Sequence, residues 1–195
     1  MKLPHPFLWL TESGQPRAFA VTSILALLTM ASLQVLDAPL KTAAAPAGII
    51  SYQFARDLEG ARRILDSWGP PARVYAGLSL GLDYLFMVAY AWALGLGCVM
   101  VARRLGRWSE GLAALGVALS WGQGLAALLD ALENYALIRL LLGSERALWP
   151  ALASGCALTK FLLVGAGILF IGLGGILSLL RRDANRHGEC RSDAG

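Results

Sequence analysis

Four long apolar stretches, about 18–40, 74–101, 111–142 and 151–180, divide the chain, and none alternates with the two-residue period of a half-buried strand. Each exceeds the roughly 20 residues that carry a helix across a hydrocarbon core of about 30 Å. Backbone in lipid must satisfy its own hydrogen bonds, so continuous apolar runs of this length predict helices rather than strands. The second and third connections are short, which predicts antiparallel neighbours. The expected fold class is an all-α integral membrane protein, a four-transmembrane-helix antiparallel bundle forming a single domain over residues 1–195 with a tail at 181–195.

The first connection, 41–73, breaks this simple pattern. Phe54, Leu58, Ala61, Leu65 and Trp68 recur at helical spacing, which predicts an amphipathic extramembrane helix over about 54–68. Glu59–Arg63 and Arg62–Asp66 are expected as i,i+4 pairs on its polar face, and Gly69, Pro70 and Pro71 end it. Such a helix either lies in the membrane interface or covers the open end of the bundle. Trp9, Trp68, Trp108 and Trp149 flank the spans, where an aromatic belt belongs. Gly77 and Gly81 form a G-x-x-x-G pair, and Gly167 and Gly174 share a face seven residues apart; both patterns suit close helix approach. The tract Gly165-Ala166-Gly167 does not complete a dinucleotide fingerprint and lies inside a span.

Composition agrees with a membrane reading: 56% of residues are hydrophobic and 15% charged, against roughly 25% charged in soluble domains. The net charge of +4 does not form a nucleic-acid patch. Lys2 and Arg17 precede the first span, Arg103, Arg104 and Arg107 occupy the second connection, and Arg181, Arg182, Arg186 and Arg191 follow the fourth span. In a four-span chain these regions share one side, which the positive-inside rule makes cytoplasmic. The first connection also carries Lys41, Arg56, Arg62, Arg63 and Arg73, and weakens that asymmetry. The expected location is a bacterial-type inner (plasma) membrane with both termini inside. Ala43–Ala45 resembles a signal-peptidase site, but the apolar run before it is longer than a signal core and Pro46 follows the cut, so the first segment is read as a retained span. Cys98 and Cys156 fall toward opposite ends of their spans, too far apart to bridge, and Cys190 lies in the tail.

Against this apolar background a few polar residues stand out. Asp83, Asp130, Glu133, Asn134 and Lys160 fall roughly 12–18 Å below the same surface at 1.5 Å per residue, and Gln34 and Asp37 lie shallower on the first span. Intramembrane ionisable groups usually face a bundle interior, pair with one another and mark a functional site. Helical periodicity lets them converge. Gln123, Ala126, Ala127, Asp130, Glu133, Asn134 and Leu137 share a face of the third span; Ser79, Asp83, Met87 and Tyr90 one of the second; Cys156, Lys160, Val164 and Gly167 one of the fourth. Arg139 falls on the opposite side from Asp130 and can snorkel.

Three carboxylates face one ammonium in this layer. An apolar interior does not hold that balance fully ionised, so a carboxyl group keeps its proton or a cationic ligand joins them. A neutral acid beside an ionised one is an acid–base pair. Asp83, Asp130, Glu133 and Lys160 are therefore the candidate catalytic residues, with Gln34, Tyr90, Gln123 and Asn134 as candidate ligand contacts. The alternative is a buried ion pair that only fixes helix register. His5 and His187 both lie outside the spans, which excludes intramembrane bis-His haem, His-rich zinc and a Ser-His-Asp triad. No cofactor and no metal are implied. The expected partners are membrane lipid and a lipidic or small amphipathic ligand, with a homodimer or a membrane-complex partner as further options and no nucleic acid. Three roles fit: an enzyme performing acid–base chemistry such as isomerisation or hydrolysis, a proton-coupled carrier working as a dimer, and a non-catalytic accessory or assembly subunit.

Overall fold

Helix starts and stops in this chain follow local chemistry. In the computed structural model, which describes residues 4–192 with side chains for 4–178 and 180, Gly14 caps α1 (Gln15–Asp37) and Pro16 occupies its first turn. Gly69 with Pro70 and Pro71 opens α4 (Pro70–Leu105), since proline at the first helical positions gives up only a hydrogen bond the helix cannot use. Ser109 Oγ accepts from Leu112 N at 3.3 Å and caps α5 (Glu110–Leu141). That helix ends on Gly143 at φ 89°, with Gly143 N bonded to Leu140 O and Ser144 N to Arg139 O, each at 2.9 Å. The last helix, α6, runs Leu148–Ser192. All regular structure among the described residues is helical, and four helices are long and apolar enough to cross a membrane: Gln15–Leu40, Pro70–Leu105, Glu110–Leu141 and Leu148–Ser178. Lys2 and the side chains of Arg181, Arg182, Arg186, His187, Cys190 and Arg191 lie outside the described residues.

The helix expected over 54–68 is shorter, α3 (Leu58–Ser67), and a further short helix, α2 (Ile49–Gln53), precedes it; Arg56, at a φ of 61°, breaks the helical path between them. Asp57 then caps α3 by accepting from Gly60 N at 2.7 Å. Asp37, at the end of α1, receives Ile49 N at 2.7 Å. Gly48 must be glycine there: its φ is 58° and a Cβ would meet Asp37 Oδ1 at 2.1 Å.

These pieces fold over one end of the long helices, here called the upper end, and build a core of their own. Trp68, Tyr52, Leu40, Ala61 and Ile64 are buried there with Leu80 of α4 and Leu137 and Leu140 of α5. Trp68 is consequently no interfacial anchor: it is 1% exposed, and its indole N–H donates to Leu40 O at 2.9 Å. Tyr52 donates to Leu137 O at 3.1 Å, and burial pushes its phenol up, so it remains a donor. Glu59 pairs with Arg63 at 2.8 Å as expected. Arg62 does not pair with Asp66; it reaches Glu145 at 2.6 Å, while Asp66 lies 3.8 Å from Arg73.

Among the long helices α4 is central, packing against α1, α5 and α6, and α5 also packs along α6. Close approach is concentrated in their lower half. A Cβ on Gly116 would lie 2.7 Å from Ala102 Cβ and 2.6 Å from Phe170, and one on Gly174 would lie 2.5 Å from Val101. Gly167 sits equally close to Gln123. The Gly77–Gly81 pair does not serve this purpose, because nothing lies within 4 Å of a Cβ at Gly81. The polypeptide before α1 folds back on this end, where Phe7 is buried with Leu96 and Val99.

α1 is the least embedded helix: only Gln15 and Thr29 are buried. It leans on α4 and scarcely meets α6. Near its lower end Phe19 and Ile171 of α6 converge at Gly97; above that level the two helices enclose a gap.

Candidate functional site: a charged layer opening on a lateral cavity

Three helices bring the polar layer together in the upper half of the bundle. On α5, Asp130, Glu133 and Asn134 follow the i, i+3, i+4 spacing that puts side chains on one face, and all three are buried. Lys160 approaches from α6 and is 5% exposed. Its ammonium bridges Asp130 Oδ1 and Glu133 Oε2, the latter at 2.8 Å. Tyr90, on α4, donates its hydroxyl to Asp130 Oδ2 at 3.1 Å. Asp83, two turns above Tyr90 on the same helix, stands beside Asp130 and accepts from Asn134 Nδ2 at 2.7 Å.

The ammonium is thus committed to two carboxylates, and the third has only an amide. A charge pair this deep gains enough only when its remaining polar atoms are also bonded. Here they are not all bonded. No protein group donates to Glu133 Oε1 or to Asn134 Oδ1, although both atoms are buried. The Asn134 orientation is fixed by its neighbour, since turning the amide over would press its oxygen against the Asp83 carboxylate.

Beside this network lies a cavity of about 580 Å³ between α1, α4 and α6. Asp83, Asp130, Asn134, Tyr90 and Lys160 form its polar wall. Ile49, Ile50 and Gln53 of α2 form its roof, so α2 and not the amphipathic α3 covers the site. Gln53 is 7% exposed, and its side-chain oxygen also has no protein donor. Apart from Ser23 and Ser79, and Gln34 and Asp37 at the rim, the remaining walls are apolar. Leu27 and Met30 from α1 and Phe161 and Ile168 from α6 line the cavity yet are largely exposed, so it opens sideways between these two helices.

Seven of the eight candidate residues from the sequence belong to this assembly, in different positions. Asp83, Asp130, Lys160, Asn134, Tyr90 and Gln34 line the cavity, Gln34 at its exposed rim on α1. Glu133 sits behind the wall against Lys160. Gln123 is elsewhere: its amide donates to Leu163 O at 3.0 Å and ties α5 to α6 below the polar layer, outside the cavity lining. Gln53 was not legible as a site residue, because its helix is short and irregularly placed in the first connection; the one signal was a lone amide within the apolar run Ile49–Phe54. Asp37 lines the rim but is occupied by the α2 backbone. Cys98 and Cys156 are buried and unbridged.

A group entering from the side would meet hydrocarbon walls first and carboxyl groups last. Asp83 and Asp130 both line that space, which suits proton exchange, whereas Glu133 is absent from the lining and meets the site through its ion pair with Lys160. No protein-family model, curated protein or solved structure matches this chain, which leaves function to be read from this geometry.

Proposed function

We propose that the chain is an antiparallel four-span protein of a bacterial-type inner membrane, with both termini cytoplasmic. Its polar layer, in the outer half of the bilayer, binds a lipidic or small amphipathic ligand and acts on it by acid–base chemistry. The observation that carries this reading is the cavity: charged and amide groups lie at its closed side, and apolar side chains line an opening between α1 and α6. A site with that profile admits a ligand from the lipid phase, tail against Leu27, Met30 and Ile168 and reacting end against Asp83. Its size lies within the roughly 300–1,000 Å³ of pockets that hold drug-sized ligands.

In this mechanism Asp83 and Asp130 exchange a proton with the ligand, one as acid and the other as base, in a site from which the apolar walls exclude water. Lys160 holds the negative charge that remains, and Tyr90 and Glu133 fix the orientation of Asp130 and Lys160. Isomerisation of a lipid-like substrate fits this set directly, and hydrolysis would need one water molecule admitted with the substrate.

Native mass spectrometry of the protein released from a mild detergent tests the reading. The wild type is expected to retain a small non-protein mass that Asp83→Asn loses while accumulating as folded protein. An empty wild type, with Asp83→Asn fully functional in the cell, would place the layer among register devices and the chain among accessory subunits. Cysteine labelling tests the topology: position 62 should react from outside, and positions near 105 and 188 only after the membrane is opened.

A further inference from the structure

The charge inventory of the cavity is one-sided. Its one lining cation is committed: Lys160 is held by Asp130 and Glu133, while Tyr90 gives its hydroxyl to Asp130 and the Asn134 amide gives an N–H to Asp83. Its acceptors are not. Asn134 and Gln53 belong to the cavity lining and each keeps a buried side-chain oxygen without a protein donor, and Asp83 faces no cation of its own. Asn134 is 0% exposed, so its free oxygen is a built acceptor rather than a solvated one. Formal charge points the same way, with Asp83, Asp130 and Glu133 against Lys160 alone.

We infer that the ligand of this site carries a protonated amine at the end of a single apolar chain, with the amine bonded to Asp83 Oδ1 and Asn134 Oδ1. An ammonium has three donors and no acceptor, which complements a wall of carboxylate and amide oxygens. A carboxylate or phosphate head would meet Asp83 and unpaired oxygens instead, and would find the only ammonium already doubly bridged. The chain extends past Ala26 and Val164 toward the opening between α1 and α6. This inference rests on the ligand-binding reading above and specifies its head group.

Three probes of equal chain length separate the two: dodecylamine, dodecanol and dodecanoate, titrated against the protein in phosphatidylcholine nanodiscs with thermal unfolding as the readout. Dodecylamine is expected to stabilise the wild type most. In Asp83→Asn its apparent affinity should fall by roughly 10–100-fold, the range for losing a hydrogen bond to a charged group, while dodecanol binding changes little. Comparing the two proteins at equal probe cancels partitioning into the lipid. Leu27→Trp, at the exposed mouth, should weaken dodecylamine and dodecanol alike without touching the polar wall, and it answers the question independently if the Asp83 variant fails to fold. Dodecanoate or dodecanol matching dodecylamine in the wild type would overturn the amine assignment and leave the ligand reading standing. No stabilisation by any probe, or equal effects in wild type and Leu27→Trp, would overturn both.

Discussion

Two buried regions meet on α5, and they treat their polar atoms in opposite ways. In the cap formed by α2 and α3, the two large buried aromatic side chains with polar atoms end on partners: Trp68 on Leu40 O, Tyr52 on Leu137 O. One turn down α5 from Leu137, Glu133 and Asn134 are just as buried, yet each leaves an oxygen without a protein donor. A buried acceptor without a partner costs about 1–3 kcal/mol, a cost that natural cores seldom carry without a reason. The cap is therefore architecture, and in the proposed function the layer beneath it gives up stability for binding. Gln53 joins the two, because it belongs to the cap, lines the cavity and keeps a buried oxygen without a protein donor.

That contrast is most easily broken at Lys160. Lys160→Met leaves Asp130 and Glu133 without their shared cation, and removing one partner of a buried pair costs roughly 3–5 kcal/mol. Unfolding in mixed detergent micelles should register it as the largest loss among single substitutions in the bundle. A Lys160→Met protein as stable as the wild type would mean that the carboxyl groups are neutral and the ion pair is incidental.

The cap should respond differently. Trp68→Phe strands the buried Leu40 carbonyl and is expected to lower stability by about 1–3 kcal/mol without changing the ligand retained. Ligand loss in this variant, measured by the same mass spectrometry, would erase the distinction between cap and site. Asp83→Asn reverses the pattern. Its volume and its bond to Asn134 can be kept by rotating the new amide, so the stability change should be under about 1 kcal/mol while binding is lost.

The smallest effect concerns the opposite end. His5 Nδ1 accepts from Phe7 N at 3.2 Å, and the Arg103 guanidinium lies 3.4 Å from Nε2. Partial burial and the Arg103 charge hold the imidazole below its usual range. A folded-state value below the unfolded one means that the unfolded chain binds more protons, so stability rises with pH in this window. Acidification should accordingly loosen residues 4–10 from α4, and His5→Gln should abolish that dependence. Hydrogen exchange at Phe7 and Leu10 between pH 7 and pH 5 reads it; exchange insensitive to pH would separate His5 from the docking of this segment.

Much of this was legible in the sequence because helical periodicity and depth are both one-dimensional. The spacing of Asp130, Glu133 and Asn134 settled which way they face, and counting residues from Arg73 and Pro150 brought Asp83 and Lys160 to their level. Gln123 shares that face as well, but it lies two turns lower, where α6 is close enough at Gly167 to take its amide. Periodicity alone does not separate those two depths of one stripe. The later start of α3 was hidden for another reason: the apolar stripe begins at Phe54, whereas the helix begins only after the backbone break at Arg56 and the Asp57 cap. Nor does any pattern along α1 reveal that it stands away from α6. That separation arises from packing against α4 alone, and it is what makes a cavity of the polar layer.

A binding centre reached from the lipid would be visible in an experimental density map of the protein in a nanodisc. Elongated non-protein density is expected between α1 and α6, with its polar end within hydrogen-bonding distance of Asp83 and Asn134. A map in which α1 closes on α6, and the oxygens of Asp83, Asn134 and Gln53 are all satisfied by protein groups, would contradict such a centre.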